Sequence, residues 1–336
     1  MVVGVGFEPT YAMRADLQSA AFNHSATPPG ASCALNSGAQ KRIFLRLCQQ
    51  LYLLFSYSYA HICAMKHRKP QKPYHKPKKM EPKKKGFRAN FFGWHACTEV
   101  WLNPKRQINS VFLTESNKAT FEELYHKAKK AGLKRPEPQI IEKDVFEQSF
   151  PKGTTHQGIA IQAGPLPEYS VQDLIGLCHG DTKHDVATKT ILVLDQVTDP
   201  HNVGAILRSA CALGAVGVVM QSKHAPELNG TLAKIACGAT EHIPVAFETN
   251  LSRALETLQE AHFHVVGLDE HSDQHFRDLP PMERAVLILG AEGSGMRRLI
   301  KEKCDFNVTL PTFLPIASLN VSNAAAISLY AILNRK

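Results

Sequence analysis

Three short segments in the second half of the chain carry residue types from which a reactive site can be built. The first is Asp199-Pro-His-Asn-Val-Gly-Ala-Ile-Leu-Arg-Ser209, a few residues after the apolar run Thr190–Asp195. If that run is a strand, the segment lies at a strand's carboxyl end, where α/β sheets place their ligands. Asn202 then falls at a helix start, with Arg208 six residues further along. Taken alone, the pair is read first as an N-cap and a surface arginine. The second segment is Leu289-Gly-Ala-Glu-Gly-Ser-Gly-Met296, again directly after an apolar run. Gly290, Gly293 and Gly295 allow backbone to approach a ligand closely. Their order is not the G-x-G-x-x-G dinucleotide fingerprint, and no G-x-x-x-x-G-K-[ST] phosphate loop occurs anywhere. A nicotinamide-dependent dehydrogenase is therefore disfavoured. The third segment, Leu310-Pro-Thr-Phe-Leu-Pro-Ile-Ala-Ser-Leu-Asn-Val-Ser322, leads Ser318, Asn320 and Ser322 into an Ala-rich helix. Capping by Asn320 is the plain alternative there.

The elements that must position these segments alternate. Strands are predicted at 190–195, 216–220, 264–268 and 285–289, with helices over 203–213, ending at Gly214, and over 321–334. Strands alternating with helices indicate a parallel sheet covered on both faces. Upstream, 91–163 reads as a small α/β unit. Its predicted strands are 111–113, 140–141 and 158–162, and its helix over 121–130 is closed by Gly132. Residues 164–187, with Pro165, Pro167 and Gly176, read as a linker holding one short helix, 170–178.

The formal net charge of the 336 residues is +9, and it is unevenly placed. Residues 66–88 hold eleven Lys or Arg against Glu81 alone, a net of +10, and residues 1–64 contribute +2. The remainder, 89–336, is left at −3. The Lys- and Pro-rich stretch, 65–90, is expected to be a disordered arm that tethers nucleic acid through phosphate neutralisation. Eight scattered cysteines without a C-x-x-C pair suit reduced thiols in a cytoplasmic protein, and no Cys/His set has zinc-ligand spacing. His271 and His275 read as loop residues. The apolar stretch 43–65 is interrupted by Arg46, Gln49 and Gln50, which argues against a membrane span. Gly6-Phe7-Glu8-Pro9 can be encoded by the complement of a tRNA T-arm. Residues 1–64 are accordingly expected to be an extension outside the functional protein, or a disordered one, with translation starting at Met65.

Together the three segments resemble the motifs of the SpoU (TrmH-type) RNA ribose 2′-O-methyltransferases, in order and spacing. Thr198-Asp-Pro-His-Asn-Val-Gly204, Gly290-Ala-Glu-Gly-Ser-Gly-Met-Arg-Arg298 and Ser318-Leu-Asn-Val-Ser322 carry the match. Phe92-Gly-Trp-His-Ala96 and His156-Gln-Gly-Ile159 resemble the ends of the family's small substrate-binding domain. The resemblance implies a knotted (trefoil) parallel-sheet methyltransferase domain, 188–336, preceded by a ribosomal-protein-like RNA-binding domain, 91–163. It also implies S-adenosylmethionine as cofactor, contacted by Gly290, Leu310 and Leu319, no metal and a homodimer. Arg208 is implied to stabilise developing alkoxide at a ribose 2′-oxygen, with Asn202, Glu292, Ser318 and Asn320 orienting it and the substrate. The two-domain form points to a guanosine of 23S rRNA. A tRNA ribose methyltransferase and an inactive RNA-binding or ribosome-assembly factor are the alternatives. One departure stands out: the family usually has a glycine shortly after the Leu-Pro pair, where this chain has Thr312-Phe-Leu-Pro-Ile316. Phe313 and Leu314 are expected to narrow the cofactor loop.

Overall fold

The computed structural model describes residues 86–179, 188–315 and 318–333. The basic arm up to Lys85 and the whole of 1–64 lie outside them, as do the proposed start at Met65 and the stretch 43–65. Among the described residues no helix is long and apolar enough to cross a membrane, and no cluster of potential metal ligands occurs.

Two sheets organise the described chain. The first is four-stranded, in the order β1-β4-β2-β3. It is built from β1 (Phe91–Phe92), β2 (Ile108–Leu113), β3 (Gln139–Ile140) and β4 (Ile159–Ala163). Helices Trp94–Leu102 and Lys118–Lys130 cover it around a core that includes Trp101, Phe121 and Ile161. Arg135 ties the end of the first helix down by donating to the carbonyls of Trp101, Asn103 and Arg106.

The second sheet has six strands in the order β10-β8-β9-β5-β6-β7. These are β5 (Lys189–Asp195), β6 (Gly217–Gln221), β7 (Val245–Glu248), β8 (His264–Leu268), β9 (Arg284–Gly290) and β10 (Phe306–Val308). Every pairing in it is parallel. Side chains alternate across a strand, and in β5 both sets are apolar. Leu192 and Leu194 enter the core under the helices Pro200–Leu213 and Val321–Leu333, while Ile191 and Val193 enter the opposite core under Leu251–Glu260. A strand buried on both faces is what a central parallel position requires. The short helix Val171–Leu177, predicted within a linker, buries Val171 and Leu174 in that second core.

Helix Pro200–Leu213 starts three residues before the predicted boundary. Apolar spacing begins only at Val203, which hid the first turn. Pro200 is compatible with that turn, because its missing N–H would have had no helical partner. Asp199 is the cap, accepting from the amides of His201 and Asn202. Val203, Ile206, Leu207 and Ala210 face the core, and Gly214 closes the helix at φ 84°. Sequence patterning did not separate strand β7, which forms the sheet's edge, or helix Leu251–Glu260, which covers the face of the central strands.

The two sheets meet across a polar seam. Arg106, 6% exposed, donates from Nε and Nη2 to the two carboxylate oxygens of Glu241, at 2.9 and 2.8 Å. Asn103 also donates to that carboxylate. A buried guanidinium is tolerated here because a bidentate acceptor meets it.

Candidate active site

The carboxyl ends of β8, β9 and β10 open into a cleft of about 480 Å³. Its walls are the β9 loop from Leu289 to Met296, the start of the C-terminal helix, and Leu268–His271. Of the eight residues singled out from sequence, Gly290, Glu292, Leu310, Ser318, Leu319 and Asn320 line it. Asn202 does not line the cleft, yet it is bonded to two residues that do.

The bonding is specific enough to fix each amide. Asn320 precedes the helix Val321–Leu333, and its Oδ1 accepts from the Ser322 amide at 2.9 Å. That is an N-cap, so the plain reading of Asn320 holds alongside the functional one. With Oδ1 committed, the Asn320 amide group donates to Asn202 Oδ1 at 3.0 Å and to Glu292 Oε1 at 2.8 Å. Asn202 in turn donates from Nδ2 to Glu292 Oε1 at 3.0 Å. One residue from each sequence segment thus meets in a three-membered ring. Glu292 Oε2 has no hydrogen bond among the described residues and remains available to a ligand.

Gly290 is required by space. A Cβ there would lie 2.2 Å from the Gly295 carbonyl carbon and 2.3 Å from the Met296 nitrogen. The loop folds back on itself through paired backbone bonds between Ala291 and Gly295, at 3.1 and 2.9 Å. Gly293 and Gly295 adopt φ of 79° and 64°, which side-chain-bearing residues rarely do.

Arg208 lies elsewhere. It is on the exposed side of Pro200–Leu213, lines no part of the cleft, and its guanidinium has no hydrogen bond or ion pair among the described residues. Phe313 and Leu314 are 84% and 85% exposed and are not among the residues lining the cleft. They do not narrow it, contrary to expectation; Thr312, just before them, is the lining residue. The reason is physical: their side chains find no core in this loop.

Sequence reasoning missed two charged pairs. Lys301 forms an ion pair with Asp269 at the cleft margin. Burial opposes ionisation of Asp269, but the Lys301 ammonium and the His271 amide outweigh it and lower the carboxyl's pKa. The second pair, Asp195 with Arg297, lies behind the loop. A charged residue ending a wholly buried strand needs a partner, and that was the available signal. Burial raises the pKa of Cys97, Cys178 and Cys211 and pushes Cys304 up to about 12, so none of these four thiols is activated for nucleophilic attack.

The cleft suits a cofactor with an apolar body and polar ends. Leu268, Leu289, Met296 and Leu310 supply apolar wall, while Asp269, Glu270 and Lys301 supply charge at one end. The adenine of S-adenosylmethionine suits the apolar wall, and its ribose hydroxyls, sulfonium and amino-acid end suit the polar and charged residues, so the residues present fit it.

Comparison with known proteins agrees with this layout. Residues 189–330 match the SpoU rRNA Methylase family. Residues 91–169 match the family described as RNA 2′-O ribose methyltransferase substrate binding. The chain is similar to an uncharacterised tRNA/rRNA methyltransferase of Synechocystis, 35% identical over 246 residues, which are 73% of this chain and 62% of that protein. It is similar to the 23S rRNA (guanosine-2′-O-)-methyltransferase RlmB of Pseudomonas aeruginosa, 34% identical over 73% of this chain and 96% of that one. In fold it resembles the SpoU methyltransferase AviRb of Streptomyces viridochromogenes, solved in complex with AdoMet. That match has a TM-score of 0.57, 20% identity, and covers 72% of this chain and 88% of that one.

Proposed function

The chain belongs to the SpoU rRNA methylase family, and from that premise we propose that it methylates the ribose 2′-oxygen of a guanosine in 23S rRNA, using S-adenosylmethionine. The observation that carries the reading is the ring of Asn202, Glu292 and Asn320 at the mouth of a cofactor-sized cleft. The rRNA reading draws support from the P. aeruginosa relative, which is matched over nearly its whole length.

When bound, S-adenosylmethionine supplies a methyl group on a sulfonium, already an excellent leaving group. What the chain must add is alignment and help with the hydroxyl proton. The ring holds Glu292 Oε2 toward the ribose, where it accepts a hydrogen bond and orients the sugar. Ser318 adds a second polar contact on the cleft wall. With no hydrogen bond or ion pair among the described residues, the Arg208 guanidinium is available to a phosphate and to negative charge growing on the 2′-oxygen. Gly290, Leu310 and Leu319 contact the cofactor.

The same proposal takes 91–163 as the RNA-binding domain, 164–187 as a connection whose helix packs into the second core, 188–336 as the methyltransferase domain with the family's knot, and 65–85 as an electrostatic tether. The last residues of the expected arm, 86–90, instead pack on the first sheet, where Phe87 stacks on Phe112. Leu319, Ile327 and Tyr330 are 42%, 48% and 63% exposed beside the cleft and along the C-terminal helix. That apolar strip supports a homodimer. The cytoplasm is the compartment where such an enzyme meets its RNA. Ribose-methylation mapping of rRNA and tRNA from cells with and without the gene tests the substrate. Loss of one 23S guanosine methyl is expected; loss of a tRNA methyl selects the tRNA reading, and no loss from either RNA refutes the activity.

A further inference from the structure

We infer that Asp195 is a positioning residue for methyl transfer, acting through Arg297 to hold Glu292 in place; the inference rests on the function proposed above. Asp195 ends β5 and pairs in register with Gly290 of β9. Its side chain is fully buried. Oδ2 accepts from the Arg297 backbone amide at 2.8 Å, Oδ1 accepts from Arg297 Nε at 2.7 Å, and Nη2 completes the ion pair 2.7 Å from Oδ1. One carboxylate therefore holds backbone and side chain of the same residue. Strand register fixes the glycine loop at Gly290, and this carboxylate fixes it at Arg297.

The loop so pinned carries Glu292. From Asp195 the chain runs through the cap Asp199 to Asn202, which bonds Glu292. From Glu292 it runs on to Arg297, which bonds Asp195. The first two motifs are thus joined twice, in the buried layer and at the cleft mouth, and the two ties close one circuit. The inner tie joins a fully buried carboxylate to a guanidinium that is 38% exposed, so losing Arg297 leaves Asp195 buried without compensation. The outer tie is exposed and made of single hydrogen bonds, too weak to hold Glu292 alone. Glu292 Oε2 can face a ribose only while the inner tie keeps the loop end in register.

The test is a double-mutant cycle on the full chain, measuring kcat at saturating cofactor and RNA, with melting temperature alongside. Asp195→Asn puts an amide donor opposite the Arg297 donors. Its kcat is expected to fall about 100-fold, the cost of misplacing a reacting group by an ångström. In a Glu292→Gln background the same change is expected to cost little more, because the group it positions is already altered. Arg297→Lys keeps the charge and loses the fork, and is expected to lower kcat with less change in melting temperature. A kcat for Asp195→Asn within threefold of the parent overturns the inference, and so does a full additional loss in the Glu292→Gln background. The parent is run in every arm. A parent that binds cofactor but methylates no RNA contradicts the proposed function rather than this inference. Hydrogen exchange then decides: faster exchange of the 291–295 amides in Asp195→Asn upholds the tie, and unchanged exchange refutes it.

Discussion

Asn320 and Arg208 are assigned to one site but are held very differently. Asn320 has both ends of its amide committed, to a helix cap on one side and to Asn202 and Glu292 on the other. Arg208 projects from an otherwise well-packed helix and makes no hydrogen bond or ion pair among the described residues. The cleft-side groups are preorganised by the fold, whereas Arg208 is left for the substrate to engage. Preorganised groups lower the cost of reaching the transition state; an uncommitted guanidinium costs the folded protein nothing when removed.

That contrast can be broken at several points. Arg208→Ala is expected to lower kcat by about 100- to 1,000-fold, the scale of losing one charge-stabilising donor. Its melting temperature and cofactor affinity should match the parent, as measured by calorimetry. An Arg208→Ala enzyme with parental turnover removes Arg208 from the site. Asn320→Ala should cost activity and stability together, the latter by about 1 kcal/mol for the lost cap; chemical denaturation separates the two. Gly290→Ala should weaken S-adenosylmethionine binding by about tenfold or more, since overpacking strain of roughly 1–3 kcal/mol must displace the Gly295 backbone. Deleting 66–85, which spares the packed Phe87, should leave cofactor binding intact and reduce the salt dependence of RNA binding, read from binding at several ionic strengths.

The smallest effect concerns pH. Asp269 has its pKa lowered in the fold. Its ionised form therefore adds stability above the ordinary carboxylate range, and that increment is lost as pH falls through the folded value. In Asp269→Asn the corresponding acid-side loss of melting temperature should be missing.

Much of the site was legible in the sequence because its chemistry is local. Glu292 among glycines, and Asn320 before an Ala-rich helix, advertise themselves by type and neighbours. Hydrophobic patterning likewise marked β5 and β9, since both of their faces are buried. Asp195 with Arg297 and Arg106 with Glu241 are paired across long stretches of chain, so no local window shows them as partners. β7 escaped for another reason: Val245–Glu248 is short and lies at the sheet edge. The exposure of Phe313 and Leu314 was likewise illegible, because residue size alone does not say whether a loop side chain is covered.

The account stands most directly on the product of one reaction. Purified protein is incubated with methyl-labelled S-adenosylmethionine and unmodified 23S rRNA, and the label is mapped. A single guanosine carrying the label on its ribose 2′-oxygen is the predicted result. Label on a base, or no label transferred by a protein that binds the cofactor, would contradict it.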